Sequence, residues 1–264
     1  MKKSLITLLS VILFLQAKNL QAKVSLQEEF TASVGVINIL RPLFEGSHEY
    51  EVDTMPILDF TYGESFFLKY NLAPGLQGLG VHLGTYNRLK FSASLGYYQH
   101  RLENDSLQLE GLGDVEEGID GRFFVALDLD KYLADIEYRV DFSGNHEGSL
   151  IILGFTGQII DSRRTNWDLR ASLHFADQNY MQAYFGICCD NESLLSGLTR
   201  YDAQGGLKNY SLNSIFSMDI SRYWVFSSLA EYKVLGEAAS DSPLIQFNGR
   251  ENQFEFGIGI SYKF

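Results

Sequence analysis

The stretch YLADIEYRVDF at residues 132–142 decides the fold. Tyr132, Ala134, Ile136, Tyr138, Val140 and Phe142 alternate with Leu133, Asp135, Glu137, Arg139 and Asp141. A period of two is the signature of a β-strand with one apolar and one polar face. The same beat returns at 165–176, where Trp167, Leu169, Ala171, Leu173 and Phe175 alternate with polar residues, and at 253–264, where Phe254, Phe256, Ile258, Ile260, Tyr262 and Phe264 do so. Segments 79–86, 90–98 and 117–128 behave alike. In a soluble sandwich such strands average five or six residues, and charges on the inner face need partners. In an outer-membrane barrel the apolar face meets lipid, the polar face meets the lumen, and strands run roughly 9–11 residues. Several segments here reach that length unbroken, with aromatics near their ends. The pattern predicts an all-β fold: a single closed antiparallel transmembrane β-barrel.

Working outward, strands are expected near 30–41, 54–61, 64–72, 78–87, 89–98, 117–128, 131–142, 148–160, 165–176, 202–217, 222–234 and 253–264. Irregular alternation in 202–217 predicts a bulge. That makes about 12 strands, with 10–14 compatible. Connections around Gly63, Arg88, Asp130, 161–164 and 218–221 are short, whereas 42–53, 99–116, 177–201 and 235–252 are long and lie on the other side. Both termini are then expected in the periplasm.

The chain has 264 residues, 45% of them hydrophobic and 14% aromatic, with 24 Gly and 4 Pro. Such aromatic content excludes disorder. A formal charge of −12 would repel phosphate, so no nucleic-acid partner is expected. The mean hydropathy of −0.07 resembles a soluble protein, but alternation cancels a windowed average. Met1-Lys2-Lys3, an apolar run from Leu5 to Leu15, and small residues at Ala17 and Ala22 read as a secretory signal peptide over 1–22. The barrel domain is then 23–264. Removing Lys2, Lys3 and Lys18 takes the charge from −12 to −15. Cys188 and Cys189 are adjacent and cannot staple a fold in the usual way.

RPLFEGSHEYEVDTMP (41–56), GLGDVEEG (111–118), YMQAYFGI (180–187), SGLTRYDAQGGL (196–207), LGEAASDSP (235–243) and ENQFEFGIGISYKF (251–264) occur in this order. Together they resemble the MipA/OmpV family of outer-membrane proteins, the MltA-interacting protein family. The resemblance implies a Gram-negative outer-membrane location. It further implies a non-catalytic scaffold joining a murein lytic transglycosylase to a bifunctional murein synthase; other members are discussed as small-solute channels or adhesins. The terminal Phe256, Ile258, Ile260, Tyr262 and Phe264 resemble the C-terminal signal of bacterial barrels. Expected partners are therefore outer-membrane lipid, lipopolysaccharide and the barrel-assembly machinery.

No catalytic motif is present, and neither cofactor nor metal is expected. His48 lies between Ser47 and Glu49, but a nucleophile and its base are normally assembled by the fold, not by sequence adjacency. His82 and His174 fall at lumen positions where a satisfied structural role is the default. Asp114, Glu116, Glu117 and Asp120 offer oxygen ligands without calcium-loop spacing. For the lumen, a hairpin at Asp130 that pairs residues summing to 259 would set Arg122 against Glu137 and Asp120 against Arg139. Asp135, Asp141, Asp168, Arg170, Glu255 and Lys263 add inward charge. Such ladders either brace a packed interior or line a pore for small polar solutes. The long loops 99–116 and 177–201 are long enough to plug the mouth.

Overall fold

The computed structural model describes residues 30–71, 75–188 and 195–264. The leader at 1–22 and Cys189 lie outside the described residues; Cys188 is exposed.

Twelve strands close into one antiparallel barrel, each paired with its sequence neighbours and β1 with β12. They are β1 (Phe30–Pro42), β2 (Tyr50–Tyr62), β3 (Phe66–Tyr70), β4 (Gly78–Tyr86), β5 (Leu89–Tyr98), β6 (Gly118–Leu129), β7 (Tyr132–Asp141), β8 (Ser149–Asp161), β9 (Thr165–Ala176), β10 (Gly206–Asp219), β11 (Trp224–Leu235) and β12 (Asn252–Lys263). Closure leaves no edge strand, as a lipid environment requires of every backbone donor and acceptor. Among the described residues no helix is long and apolar enough to cross a membrane.

Alternation sets the faces. Ile136, Tyr138, Phe123, Leu173, Tyr210 and Ile258 are exposed on the outside, while Asp135, Glu137, Arg122, Ser172, Ser211 and Gln253 are buried inside. Aromatic residues collect near both rims. Phe30, Tyr62, Phe66, Tyr86, Tyr132 and Phe264 ring the end with short turns; Tyr50, Tyr97, Phe142, Phe175 and Tyr232 ring the other. Both ends of the described chain sit at the short-turn rim. Tyr262 is packed there between Tyr223, Trp224 and Phe264.

The short turns use residues that tolerate left-handed backbone: Gly63 (φ 60°), Asn87 (φ 55°) and Asp130 (φ 66°). Several expected boundaries shift; β3, for one, starts at Phe66 where residue 64 was expected. Residues 50–53 continue β2, so the connection 43–49 is only seven residues, because Tyr50–Asp53 still find partners on β1. Residues 202–205 lie outside β10, and the expected irregularity appears as a register shift between Leu207 and Asn209.

The long connections carry short elements: 3₁₀ turns at Glu103–Asp105 and Leu107–Leu109, and helices α1 (Gln178–Phe185), α2 (Glu237–Ser240) and α3 (Pro243–Asn248). Asp177 caps α1 by accepting from the Tyr180 amide at 2.9 Å. Helix α3 begins with Pro243, which lacks the amide proton that the first turn could not use.

Candidate functional site

The long-loop mouth is filled. Phe44, Leu109, Met181, Phe185, Ile187 and Leu244 form a buried apolar cluster drawn from four different connections, and Leu109, Met181, Phe185 and Ile187 are 0% exposed. Polar side chains fasten this cap to the barrel wall. Lys208 Nζ donates to both carboxylate oxygens of Glu45 at 2.9 and 2.8 Å, and Asn209 Nδ2 donates to the same group at 3.1 Å. Gln253 in β12 accepts from the Gly46 amide at 3.1 Å and donates to the Ser47 carbonyl at 3.0 Å. Within the cap itself, Ser242 Oγ donates to the Phe185 carbonyl at 2.6 Å. Of the loops considered from sequence, 99–116 and 177–201 both contribute; the roles of 43–49 and 236–251 carried no sequence signal beyond their length.

His146 completes the cap's edge. Its ring lies 4.9, 5.2 and 5.6 Å from those of Tyr98, Tyr180 and Tyr184, and its Nδ1 accepts from the Gly148 amide at 3.0 Å. Burial holds His146 below its ordinary 6.5, despite Asp141, Asp177 and Asp120 nearby. Burial pushes Glu45 up, but Lys208 and Lys233 together with the hydrogen bonds outweigh it and leave the group below its ordinary 4.5. A loosened cap therefore binds protons that the closed cap refuses, first at His146 and then at Glu45. The contribution of these two groups to cap stability is full above about pH 6.5 and falls on acidification. Limited proteolysis of the long loops at graded pH is expected to show cleavage rising below that point, with the first step absent in His146→Phe.

Beneath the cap the lumen is polar and charged. The expected cross-strand pairs need correction. The β6–β7 turn is Asp130–Lys131, with Leu129 opposite Tyr132, so Arg122 faces Arg139 and Asp120 faces Asp141. The register sum is 261. The four residues do point inward, but they pair along their own strands: Arg122 Nε with Asp120 Oδ1 at 2.7 Å, and Arg139 Nε with Glu137 Oε1 at 2.8 Å. Residues two apart share a face, and this lets facing arginines each carry a neutralising partner. Arg170 reaches across β8 to Asp135 on β7, with Nη2 to Oδ1 at 2.7 Å and a second contact from Nη1 to Oδ2. Gly154 makes that crossing possible, since a Cβ there would lie 2.1 Å from Arg170 Nη2. Lys233 lies near Glu231 and Glu255, and Lys263 binds Asp219 near the short-turn rim.

A cavity of about 330 Å³ lies among these groups, lined by Glu137, Arg139, Arg170, Ser211, Asn213 and Glu231. Apolar side chains occupy other inward positions, including Ile37, Ile39, Ile57, Phe67 and Phe124.

The other sequence candidates are dispersed or satisfied. Ser47 Oγ accepts from the Glu49 amide at 3.0 Å, while His48 Nδ1 lies 2.9 Å from the Asn248 carbonyl oxygen. His82 contacts Ser92 Oγ at 2.8 Å and His174 contacts Ser172 Oγ at 3.0 Å. Asp114 accepts from the Glu103 amide and Glu117 from the Tyr97 hydroxyl. Among the described residues no group of three or more His, Cys, Asp or Glu could hold a metal ion. Phe256, Ile258, Ile260 and Phe264 lie on the exposed outer face.

The family model described as MltA-interacting protein MipA matches residues 34–264. The chain belongs to the MipA family. This MipA-family chain is an outer-membrane-type β-barrel whose described long-loop residues pack into a buried apolar cluster. A comparison with curated proteins finds no match. Among solved structures it is similar to OmpT of Vibrio cholerae, with 7% identity and a TM-score of 0.40, covering 89% of this chain and 97% of that one. It is similar to an outer membrane channel from Pseudomonas putida F1, with 8% identity and a TM-score of 0.42 over 90% and 97%. It is also similar to the Pseudomonas putida toluene transporter TodX, with 12% identity and a TM-score of 0.37 over 90% and 89%. At such values no function passes from those proteins to this MipA-family barrel.

Proposed function

We propose that this protein is a non-catalytic outer-membrane scaffold whose short-turn rim faces the periplasm. There it holds a murein lytic transglycosylase, together with a bifunctional murein synthase. The observation that carries the reading is the filled long-loop mouth, in a chain whose family is named for interaction with MltA. A barrel kept shut by an apolar core has been shaped for something other than free passage.

The turn residues support a contact surface of defined charge. Turns 63–65, 87–88, 130–131, 162–164 and 220–223 hold five bases (Arg88, Lys131, Arg163, Arg164 and Arg222) against Glu64 and Asp130. Arg163, Arg164 and Arg222 are exposed and sit on neighbouring turns, where the Asp219 amide donates to the Arg164 carbonyl. A basic rim on an acidic protein suits an acidic partner surface. Because the turns are short, the interface is small, and steering by charge matters more than buried area.

Affinity capture of a purified lytic transglycosylase by the folded barrel tests this. Retention is expected to fall as salt rises, and to drop about tenfold in the triple variant Arg163→Glu, Arg164→Glu, Arg222→Glu, the loss of roughly 1.4 kcal/mol. A folded barrel that retains neither enzyme at low salt removes the scaffold reading. A second reading, passage of small polar solutes, is favoured by the charged lining of the cavity and requires the cap to move. On either reading, lipid covers the outer face, and the strand ending at Phe264 is the segment offered to the assembly machinery.

A further inference from the structure

The cavity inside the barrel has two chemically different ends. Arg139 of β7 and Glu231 of β11 both line it, with Ser172 and His174 of β9 and Ser211 and Asn213 of β10 on the strands between. At one end, Arg139 donates to Glu137 through Nε and Nη2, at 2.8 and 3.1 Å. Its Nη1 has no hydrogen-bond partner among the described residues. The Glu137 side chain is 1% exposed and that of Arg139 27%, so the guanidinium is the accessible member of the pair. The N–H groups of Nη1 are therefore available to an anion.

At the other end, Glu231 is loosely held. Asn213 Nδ2 approaches it only to 3.4 Å, and Lys233 stands 3.9 Å from it but 3.4 Å from Glu255. Two carboxylates around one ammonium leave a surplus negative charge on this wall. Asn213 is 8% exposed, yet its Oδ1 has no hydrogen-bond partner among the described residues. A buried amide oxygen without a partner is costly, and beside an underused carboxylate it completes an acceptor set for a cation. Between the ends runs a polar ladder. Asn213 Nδ2 donates to Ser211 Oγ at 3.1 Å, Ser211 Oγ lies 2.9 Å from Ser172 Oγ, and Ser172 Oγ lies 3.0 Å from His174 Nε2.

We propose that the lumen holds a binding site for a short zwitterionic peptide of about dipeptide size. Its carboxylate meets Arg139 Nη1, its ammonium sits between Glu231 and Asn213 Oδ1, and its amide bond lies along the serine ladder. The cavity of about 330 Å³ is at the small end of the roughly 300–1,000 Å³ that ligand pockets span. Strands β7 and β11 are separated by three others, each step about 4.8 Å along the wall, so the charged ends are rooted well apart. A single α-amino acid carries both charges on one carbon, too close together to meet them. A simple anion leaves Glu231 without a partner, and a simple amine leaves Arg139 Nη1 without one. Water reaches the lumen from the short-turn rim, where the inward pairs Lys90–Asp128 and Lys263–Asp219 are part exposed. This inference does not depend on the scaffold reading: every group it uses lies inside the barrel, and its test contains no partner enzyme.

The test is equilibrium dialysis of the folded full barrel in detergent micelles against radiolabelled glycylglycine, which has no chiral centre to mismatch the site. Saturable binding at one site per barrel is expected. Glycylglycine amide lacks the carboxylate and N-acetylglycylglycine lacks the ammonium; as competitors, both should bind at least tenfold more weakly. Glu231→Gln should lower affinity for glycylglycine at least tenfold and leave that for N-acetylglycylglycine unchanged. Arg139→Gln combined with Glu137→Gln strands no carboxylate, and should produce the same loss while sparing glycylglycine amide. Lys90→Gln, inward but at the short-turn rim, should change nothing. No saturable binding by the folded barrel, or equal losses in all three variants, overturns the site. Amide and parent binding equally well overturns the zwitterion in favour of an amine. The competition series uses the unaltered protein, so a variant that fails to fold does not remove the test. Heat-modifiable gel mobility confirms folding before each dialysis.

Discussion

Replacing Phe185 with Asp is expected to turn a silent barrel into a conducting one. Phe185 is 0% exposed at the centre of the cap. Its burial contributes about 1.5–3 kcal/mol to closing the mouth. An aspartate there loses that contribution and adds a charge with no partner, for which burial costs several kcal/mol more. The carboxylate can escape only if the cap lifts into water. The ladder need not fail with it, because all twelve strands are joined by backbone hydrogen bonds to which the cap contributes little. In planar bilayers the unaltered protein should give few or no steps, and Phe185→Asp should give frequent ones. Leu107→Asp, at a site already 89% exposed, is the matched control and should stay silent. Steady conductance by the unaltered protein would favour the solute-channel reading over the scaffold.

The second large effect concerns the barrel itself. Arg170 and Asp135 form a bidentate pair whose side chains are 3% and 0% exposed, with Thr156 Oγ1 accepting a further bond from Arg170 at 3.2 Å. Arg170→Met strands the carboxylate of Asp135 and is expected to cost about 3–5 kcal/mol, read as a shift in urea unfolding in lipid vesicles. Adding Asp135→Asn should restore most of the loss, because the interior then holds no uncompensated charge. If the single and double variants unfold alike, the pair is solvated and its burial adds nothing. The test distinguishes a lumen braced by charge from one lined by it.

Both sites rest on relations between segments that no single strand encodes. Each of Arg170, Asp135, Glu137 and Arg122 was legible as inward-facing, because alternation fixes the face. Partnership was not legible. Arg170 meets Asp135 only because β8 lies between their strands and presents Gly154 at the crossing, a relation among three segments that no local pattern encodes. The cap was legible as loop length alone. Its apolar residues are spread over four connections with no common period, so they read as scattered loop hydrophobics until the barrel gathers them at one rim.

Alternation and loop length were enough for the class of fold, a strand number of about twelve, the rims on which long and short connections fall, and which residues face outward. Those follow from a period of two, and from the need of a lipid-exposed chain to satisfy every backbone group by closing. Register, ion pairing and the filled mouth came from contacts between strands and loops far apart in the chain. Parity explains why. Sliding one strand by two residues leaves every inward residue inward and every outward residue outward, so hairpin sums of 259 and 261 give the same alternation. The choice between them rested on whether Leu129–Asp130 or Asp130–Lys131 forms the turn, and with it the partners of Arg122 and Arg139.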